Sequence, residues 1–390
     1  MAPLLFITIW ATVLTCISRY YRDISFNHVL LTMAGFVVGM SLSFRSTTTY
    51  ERYIEGRKYW AQLILNSRNL ARLIWIHTVE RHEDSPKLGK QDVLQKLAAL
   101  NLLTAFAVAL KHHLIFEPSV DYPDLALLVA HLNTFADEAD QIKLHIRQVA
   151  WWHSVWHLTD LSVAQSNPLK YVKQSKPNLG NTPLENLTYL SCYYESVNKN
   201  GTLKNNLTAA QTIMSSLVEV LTGSERIVNT PLPIAYSISI SQIMWAYVLS
   251  LPFQLYERLG LVTIPGTIIA GYIILGLAGI GRELENPSGY DVNDLPLDSF
   301  CQELASDIDV LTSSPPPLAV EEWTRESGAQ VMWPFSGNYR AWEARSMEEI
   351  RTALKVKAVT KDATVERARC SRLSRLFTMC DAPLQRSRYA

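Results

Sequence analysis

The most sharply spaced candidate side chains in this chain are apolar. Phe36, Met40 and Phe44 fall at i, i+4 and i+8 in the run FVVGMSLSF, so on a helix they stack as one stripe over about 12 Å of axis. Such a stripe can be an ordinary core face. Repeated around a symmetry axis, it would make a narrow apolar constriction, which gates ions by dewetting. Phenylalanine edges carry partial positive charge, so a ring of them tolerates a passing anion better than an aliphatic wall does. Gly35 and Gly39 alternate beside the stripe and would let neighbouring helices approach. Among polar groups, His153 and His157 lie four apart, which is metal-ligand spacing. No HExxH arrangement accompanies them, and Trp151, Trp152 and Trp156 beside them read as packing aromatics. Asp291 and Asp294 read as caps for a helix beginning near Leu295.

Enzyme signatures are missing. The sequence contains no GxxxxGK[ST], no GxGxxG after a strand, no GxSxG and no HExxH, and nothing pairs a nucleophile with a base. The glycine-rich GLAGIGRELE at 276–285 closes an apolar stretch, where small residues allow close helix packing. Cys16, Cys192, Cys301, Cys370 and Cys380 are too scattered for a disulfide framework and form no CxxC pair. No enzymatic activity is expected.

The elements that must position the stripe are apolar as well. Charged residues make up 18% of the 390, against about 25% in a soluble domain. The 36 lysines and arginines balance the 36 aspartates and glutamates, so neither a nucleic-acid footprint nor charge-driven disorder is expected. The mean hydropathy of +0.04 averages over a very uneven distribution. Four stretches carry no Asp, Glu, Lys or Arg: 17 residues from Ala2 to Ser18, 21 from Ile24 to Phe44, 23 from Ile234 to Tyr256 and 20 from Leu261 to Ile280. A membrane-spanning helix needs about 17 to 25 apolar residues, and core helices of soluble proteins rarely stay uncharged this long. The first stretch is long and lacks a clear cleavage site, which disfavours a signal peptide.

The fold class expected is therefore all-α, a membrane protein with four transmembrane helices and a large helical region outside the bilayer. RYYRD joins the first two spans and ERLG the last two, so each pair is a hairpin. Arg45, Arg52, Arg57 and Lys58 crowd the exit of the second span, which places the middle region, and with it the C-terminus, in the cytoplasm. Five segments follow: a first hairpin over 1–48, a cytosolic helical region over 49–230 with an inserted loop at about 167–206, a second hairpin over 231–281, an acidic segment over 282–310 and a tail over 311–390. The uncharged-but-for-Lys111 run at 98–115, with its two histidines, reads as a core helix. Sequons at Asn186, Asn200 and Asn206 face the cytoplasm on this topology, where none is used. The stretch from Arg340 onward carries twelve Lys or Arg against six Asp or Glu, a mildly basic tail that either touches anionic lipid or packs on the core. No retention signal ends the chain, so the plasma membrane is the default location.

Three blocks together resemble the bestrophin family, in particular its bacterial and fungal branch. They are FRSTTTYERYIEGRKYWAQLILNSRNLAR at 44–72, SERIVNTPLPIAYS at 224–237 followed by LPFQLYERLG at 251–260, and GLAGIGRELENPSGYDVNDLPLDSFC at 276–301. They stand in family order and the resemblance covers about 1–310. It implies a homopentameric ion channel whose five second helices line one pore, with chloride as the permeant ion and no cofactor required. The hydrophobic neck then falls on Phe36, Met40 and Phe44, with methionine at a middle ring that is usually aliphatic or phenylalanine. The cytosolic aperture falls on Leu232, between the prolines of TPLP. Eukaryotic members bind Ca2+ through an acidic cluster that Asp291 and Asp294 match in part. Tyr290, Val292 and Asn293 interrupt that cluster here, Ser288 replaces a usual Phe, and the segment before the first span, which gives the family site a backbone ligand, is largely lacking. Glu225 and Arg226, before the third span, and Arg52 and Glu55, after the second, are expected to pair at the cytosolic mouth or line a vestibule. Partners are further copies of the chain and membrane lipid. Two other readings stay open: a cation-conducting homologue, and a structural or regulatory membrane protein on the same scaffold that does not conduct.

Overall fold

A helix satisfies its own backbone hydrogen bonds without water, and the described part of every uncharged stretch is helical. The computed structural model describes residues 2–21, 29–81, 85–117, 120–135, 180–202, 206–289, 291–314, 324, 331 and 338–358. In chain order the helices are α1 (Ala2–Tyr20), α2 (Val29–Arg72), α3 (Pro86–Ile115), α4 (Pro123–Val129), α5 (Thr182–Lys199), α6 (Leu207–Asn229), α7 (Ile234–Leu259), α8 (Thr263–Glu283) and α9 (Leu297–Thr312). A π-helical turn, Leu73–His77, extends α2, and a 3-10 turn, Gly260–Val262, joins α7 to α8. Among the described residues there is no β-strand.

Residues 1–313 form one compact unit, which holds two apolar clusters. The smaller gathers Ile7 of α1, Val38 and Leu42 of α2, Ile240, Met244, Trp245 and Val248 of α7, and Ala278 of α8. The indole of Trp10 donates to the Leu249 carbonyl at 3.1 Å and pins α1 to α7. The larger cluster packs Trp60, Leu63 and Leu70 of α2 against Leu103, Phe106 and Leu110 of α3, Leu190 and Tyr194 of α5, Leu217 and Leu221 of α6, and Phe300 and Leu304 of α9. Helix α2 runs through both. Its 44 residues extend about 66 Å at 1.5 Å per residue, and the change of composition at 48/49 falls inside one unbroken helix.

Pro3–Tyr20, Pro86–Ile115 and Ala235–Glu283 are long and apolar enough to cross a membrane by length and composition. The last of these folds as two helices because Gly260, with φ of 54°, takes a backbone conformation that costs a residue with a Cβ; the ERLG sequence ends on it. Burial sets α3 apart from the rest. Its apolar window is 61% buried, against 22% in each of the other two, so its side chains meet protein on most sides.

One expectation needs correction. Residues 167–206 read as a loop, but the described part of that stretch carries α5. Asn181 caps it by accepting from the Leu184 amide at 3.2 Å, Pro183 follows in the first turn, and Leu187, Leu190, Tyr194 and Val197 recur at helical spacing and are buried. The polar residues between them hide that periodicity in the composition. Asn186, the first sequon, lies on the buried face. His153, His157 and the neighbouring tryptophans lie outside the described residues.

Residues 314–390 form a second unit. Its described part holds α10 (Tyr339–Glu343) and a helical stretch over 347–358. The Arg345 guanidinium lies 4.1 Å from the centroid of the buried Trp342 ring.

The contact of α2 with α6 depends on one glycine. The Tyr59 ring is seated on Gly223 so closely that a Cβ there would overlap it. Gly223→Ala should destabilise the protein by about 1 to 3 kcal/mol, the usual cost of overpacking, seen as a lower Tm in detergent. Pairing it with Tyr59→Leu should recover part of that loss.

Candidate functional site

Helix α2 has two different faces in its first half. Val38, Leu42, Arg45 and Thr49 are buried, each within 6% exposure, and they turn toward α7 and α8. Phe36, Met40 and Phe44 lie on the opposite side at 74, 53 and 55% exposure. The stripe is thus no core face within the chain. Continued at helical spacing it passes through Thr47, Glu51 and Glu55, so the face is apolar above and polar below. Gly35 meets the Tyr247 hydroxyl of α7 closely, whereas Gly39 faces open space.

At the polar end of this face two chain turns converge on α2. One is Thr230-Pro231-Leu232-Pro233, which links α6 to α7; the other follows α8. Helix ends leave carbonyls without partners, and Arg52 answers three of them. Its Nη1 donates to the Thr230 carbonyl, Nη2 to Ile227 at 2.7 Å and Nε to Glu285 at 3.2 Å. Burial draws the Arg52 pKa down, against the opposing fields of Glu285 and Glu55. Two turns nearer the apolar stripe, Arg45 pairs with Glu285 at 3.6 Å, its aliphatic stem lying across Gly281. Arg226 pairs with Glu55 and lies 3.5 Å from the Tyr59 hydroxyl. Thr48, Arg52, Glu55, Arg226, Thr230 and the half-buried Leu232 line a cavity of 280 Å³. The expected pairing at this mouth is thus present for Arg226 and Glu55, while Arg52 binds main chain and Glu225 turns the other way.

Glu225 accepts from His113 of α3 at 2.8 Å and from Asn181 at 3.2 Å. The hydrogen bond from His113 is the largest reason its carboxyl is held below the usual range. His113 ends a polar knot that sequence reading left as an interruption of the apolar run. Lys111 binds Asp124, and Asp298 at 2.8 Å; burial works against its charge, but these bonds outweigh it and its pKa is raised. The His112 ring reaches Glu117 at 2.7 Å and Asp124 at 3.0 Å and stacks on Tyr122 at 4.3 Å. Phe116, with φ of 66°, turns the chain so that Glu117 folds back on His112. A signal was available: two histidines in the last turn of a helix, where the macrodipole favours positive charge, directly after a lysine.

Asp291 and Asp294 do not cap the following helix. That helix begins at Leu297 with Pro296 at its N-cap and no side-chain cap. Asp294 instead accepts from the Asp291 amide at 2.8 Å, and Asn293 donates to Glu283 at 2.7 Å. Burial raises the Asp294 pKa, helped by the charges of Asp291 and Glu283 and opposed by the amide. Calcium takes six to eight oxygen ligands. Among the described residues no group of three or more His, Cys, Asp or Glu is placed to hold a metal.

A family model described as bacterial/fungal bestrophin protein matches residues 1–310. A voltage-dependent anion channel-forming protein of Nostoc sp. is 36% identical over 296 residues, 76% of this chain and 81% of that protein. One of Synechocystis sp. is 34% identical over 281 residues, 72% and 76% of the two chains. The crystal structure of a bacterial bestrophin homologue from Klebsiella pneumoniae aligns with a TM-score of 0.58 at 20% identity, over 80% of this chain and 98% of that one; it has the same fold.

The raised Asp294 pKa fixes the sign of a stability effect. A carboxyl whose folded pKa lies above its unfolded value favours folding in acid and loses that contribution as pH rises through the folded pKa. Asp294→Asn should therefore raise Tm at pH 7 and leave it unchanged at pH 3. A rise in Tm on adding calcium, absent from the variant, would instead reveal a cation site completed elsewhere.

Proposed function

This chain belongs to the bacterial and fungal bestrophin family, and from that premise we propose that it is a chloride-conducting channel, assembled as a homopentamer whose α2 helices surround the pore. The observation that carries the reading is the exposure of Phe36, Met40 and Phe44 on one face of α2, opposite the face that packs on α7 and α8. Relatives named as anion channel-forming proteins support the choice of anions. The same names point to a channel rather than an enzyme.

The four spans are α1, the first part of α2 as far as Phe44, α7 and α8. The helical bundle around α3 and the C-terminal unit face the cytoplasm, and the membrane is the plasma membrane. Lipid covers the outer faces of the spans. Brought around one axis, the stripe forms an apolar neck that excludes water until it widens. Met40, unbranched and flexible, makes the middle of that neck its softest ring. Leu232 forms a second narrow point where the Thr230–Pro233 turn meets α2. Conduction needs no bound calcium; the Asp294 carboxylate already accepts from the Asp291 amide in its own loop.

Purified protein in a planar bilayer tests this, under a chloride gradient with a large impermeant cation. Reversal near the chloride equilibrium potential is expected, and Met40→Ala should raise unitary conductance at least about twofold by shortening the dewetted barrier. Reversal near the cation potential in sodium salt would overturn the anion assignment. Unchanged current across Phe36→Ala, Met40→Ala and Phe44→Ala would overturn the neck.

A further inference from the structure

We propose that His113, through its hydrogen bond to Glu225, makes the position of the Thr230–Pro233 turn depend on pH, so that acidification holds the turn in place and lowers the current. The proposal rests on Leu232 lying in the conducting path and adds a regulator to that site. The end of α6 is held from three sides. His113 of α3 binds Glu225 at 2.8 Å, Asn181 at the start of α5 binds the same oxygen at 3.2 Å, and α2 holds Arg226 through Glu55 and the Ile227 and Thr230 carbonyls through Arg52. Three consecutive residues near the end of α6, Glu225, Arg226 and Ile227, thus anchor the turn that carries Leu232.

Only one of these anchors is of a type that changes charge near neutrality. Arginine keeps its proton throughout, whereas histidine titrates between about pH 5 and 8. Glu225 is held ionised by its partners, so the carboxylate already makes this hydrogen bond charge-assisted, and a charge on the imidazole would add an ion pair to it. Both side chains are about two-thirds or more buried, which limits screening by solvent. The other charged groups nearby are already engaged: Arg226 with Glu55, and on α3 itself Lys111 with Asp124 and Asp298, and His112 with Glu117 and Asp124. Protonated His113 therefore draws on Glu225 rather than on a competing carboxylate.

Full-length protein, with His113→Gln and Glu225→Gln, tests this by two readouts between pH 7.5 and 5.5. Gln at 113 keeps an amide donor that cannot charge. Bilayer current of the parent should fall on acidification. Hydrogen exchange of amides 226–233 in lipid nanodiscs, corrected for intrinsic pH dependence, should slow over the same interval. Both steps should vanish in either variant. A parent whose exchange has no step, or a His113→Gln protein that keeps it, overturns the proposal. An exchange step that depends on His113, in protein that carries no current at any pH, upholds the linkage and instead rejects the channel reading.

Discussion

Arg52 is the constraint on which the rest of this molecule depends. The ends of α6 and α8 leave main-chain carbonyls without helical partners, and a desolvated carbonyl costs free energy unless a donor reaches it. A guanidinium offers five N–H donors in a fixed fork, and this one reaches Ile227, Thr230 and Glu285 together. Helix α2 is thereby tied at one level to both turns that enter and leave the α7–α8 hairpin. Arg45 repeats the tie two turns away through Glu285. The apolar stripe, the Leu232 turn and the acidic loop keep their relative heights because these bonds set them.

The sequence discloses the long apolar helices because absence of charge is a one-dimensional property. Length alone identifies α7 and α8, and Gly260 marks the break between them. Continuity of α2 is less visible: composition changes sharply after Phe44, but a backbone hydrogen-bond ladder does not sense composition, and the helix continues to Arg72. Helix α5 escaped notice for the converse reason. Its buried positions are regular, yet glutamate, asparagine and serine fill the rest, and turn-forming residues flank it.

Side-chain roles divide in the same way. The Phe36–Met40–Phe44 spacing is a local fact, readable before any fold is known, though only packing tells which side of α2 it occupies. Arg52 looks from sequence like a partner for an acid; its carbonyl partners come from residues about 175 to 233 positions away and no spacing announces them. Asp291 and Asp294 read from sequence as helix caps, but Pro296 takes that position and the Asp294 carboxylate closes its own loop. The match of Glu225 with His113 is likewise a tertiary event between helices that sequence order keeps 112 residues apart.

The unbroken length of α2 also has a kinetic meaning. A rod embedded in two separate cores cannot bend locally at its apolar stripe without disturbing both, so a pore lined by it has two distinct ways to widen. Rotamer changes of Met40 belong to picoseconds and nanoseconds, whereas rotation of the whole rod belongs to microseconds and longer. Current through such a pore would carry fast flicker superimposed on slow steps, with the flicker set by one side chain and the steps by the molecule's full height.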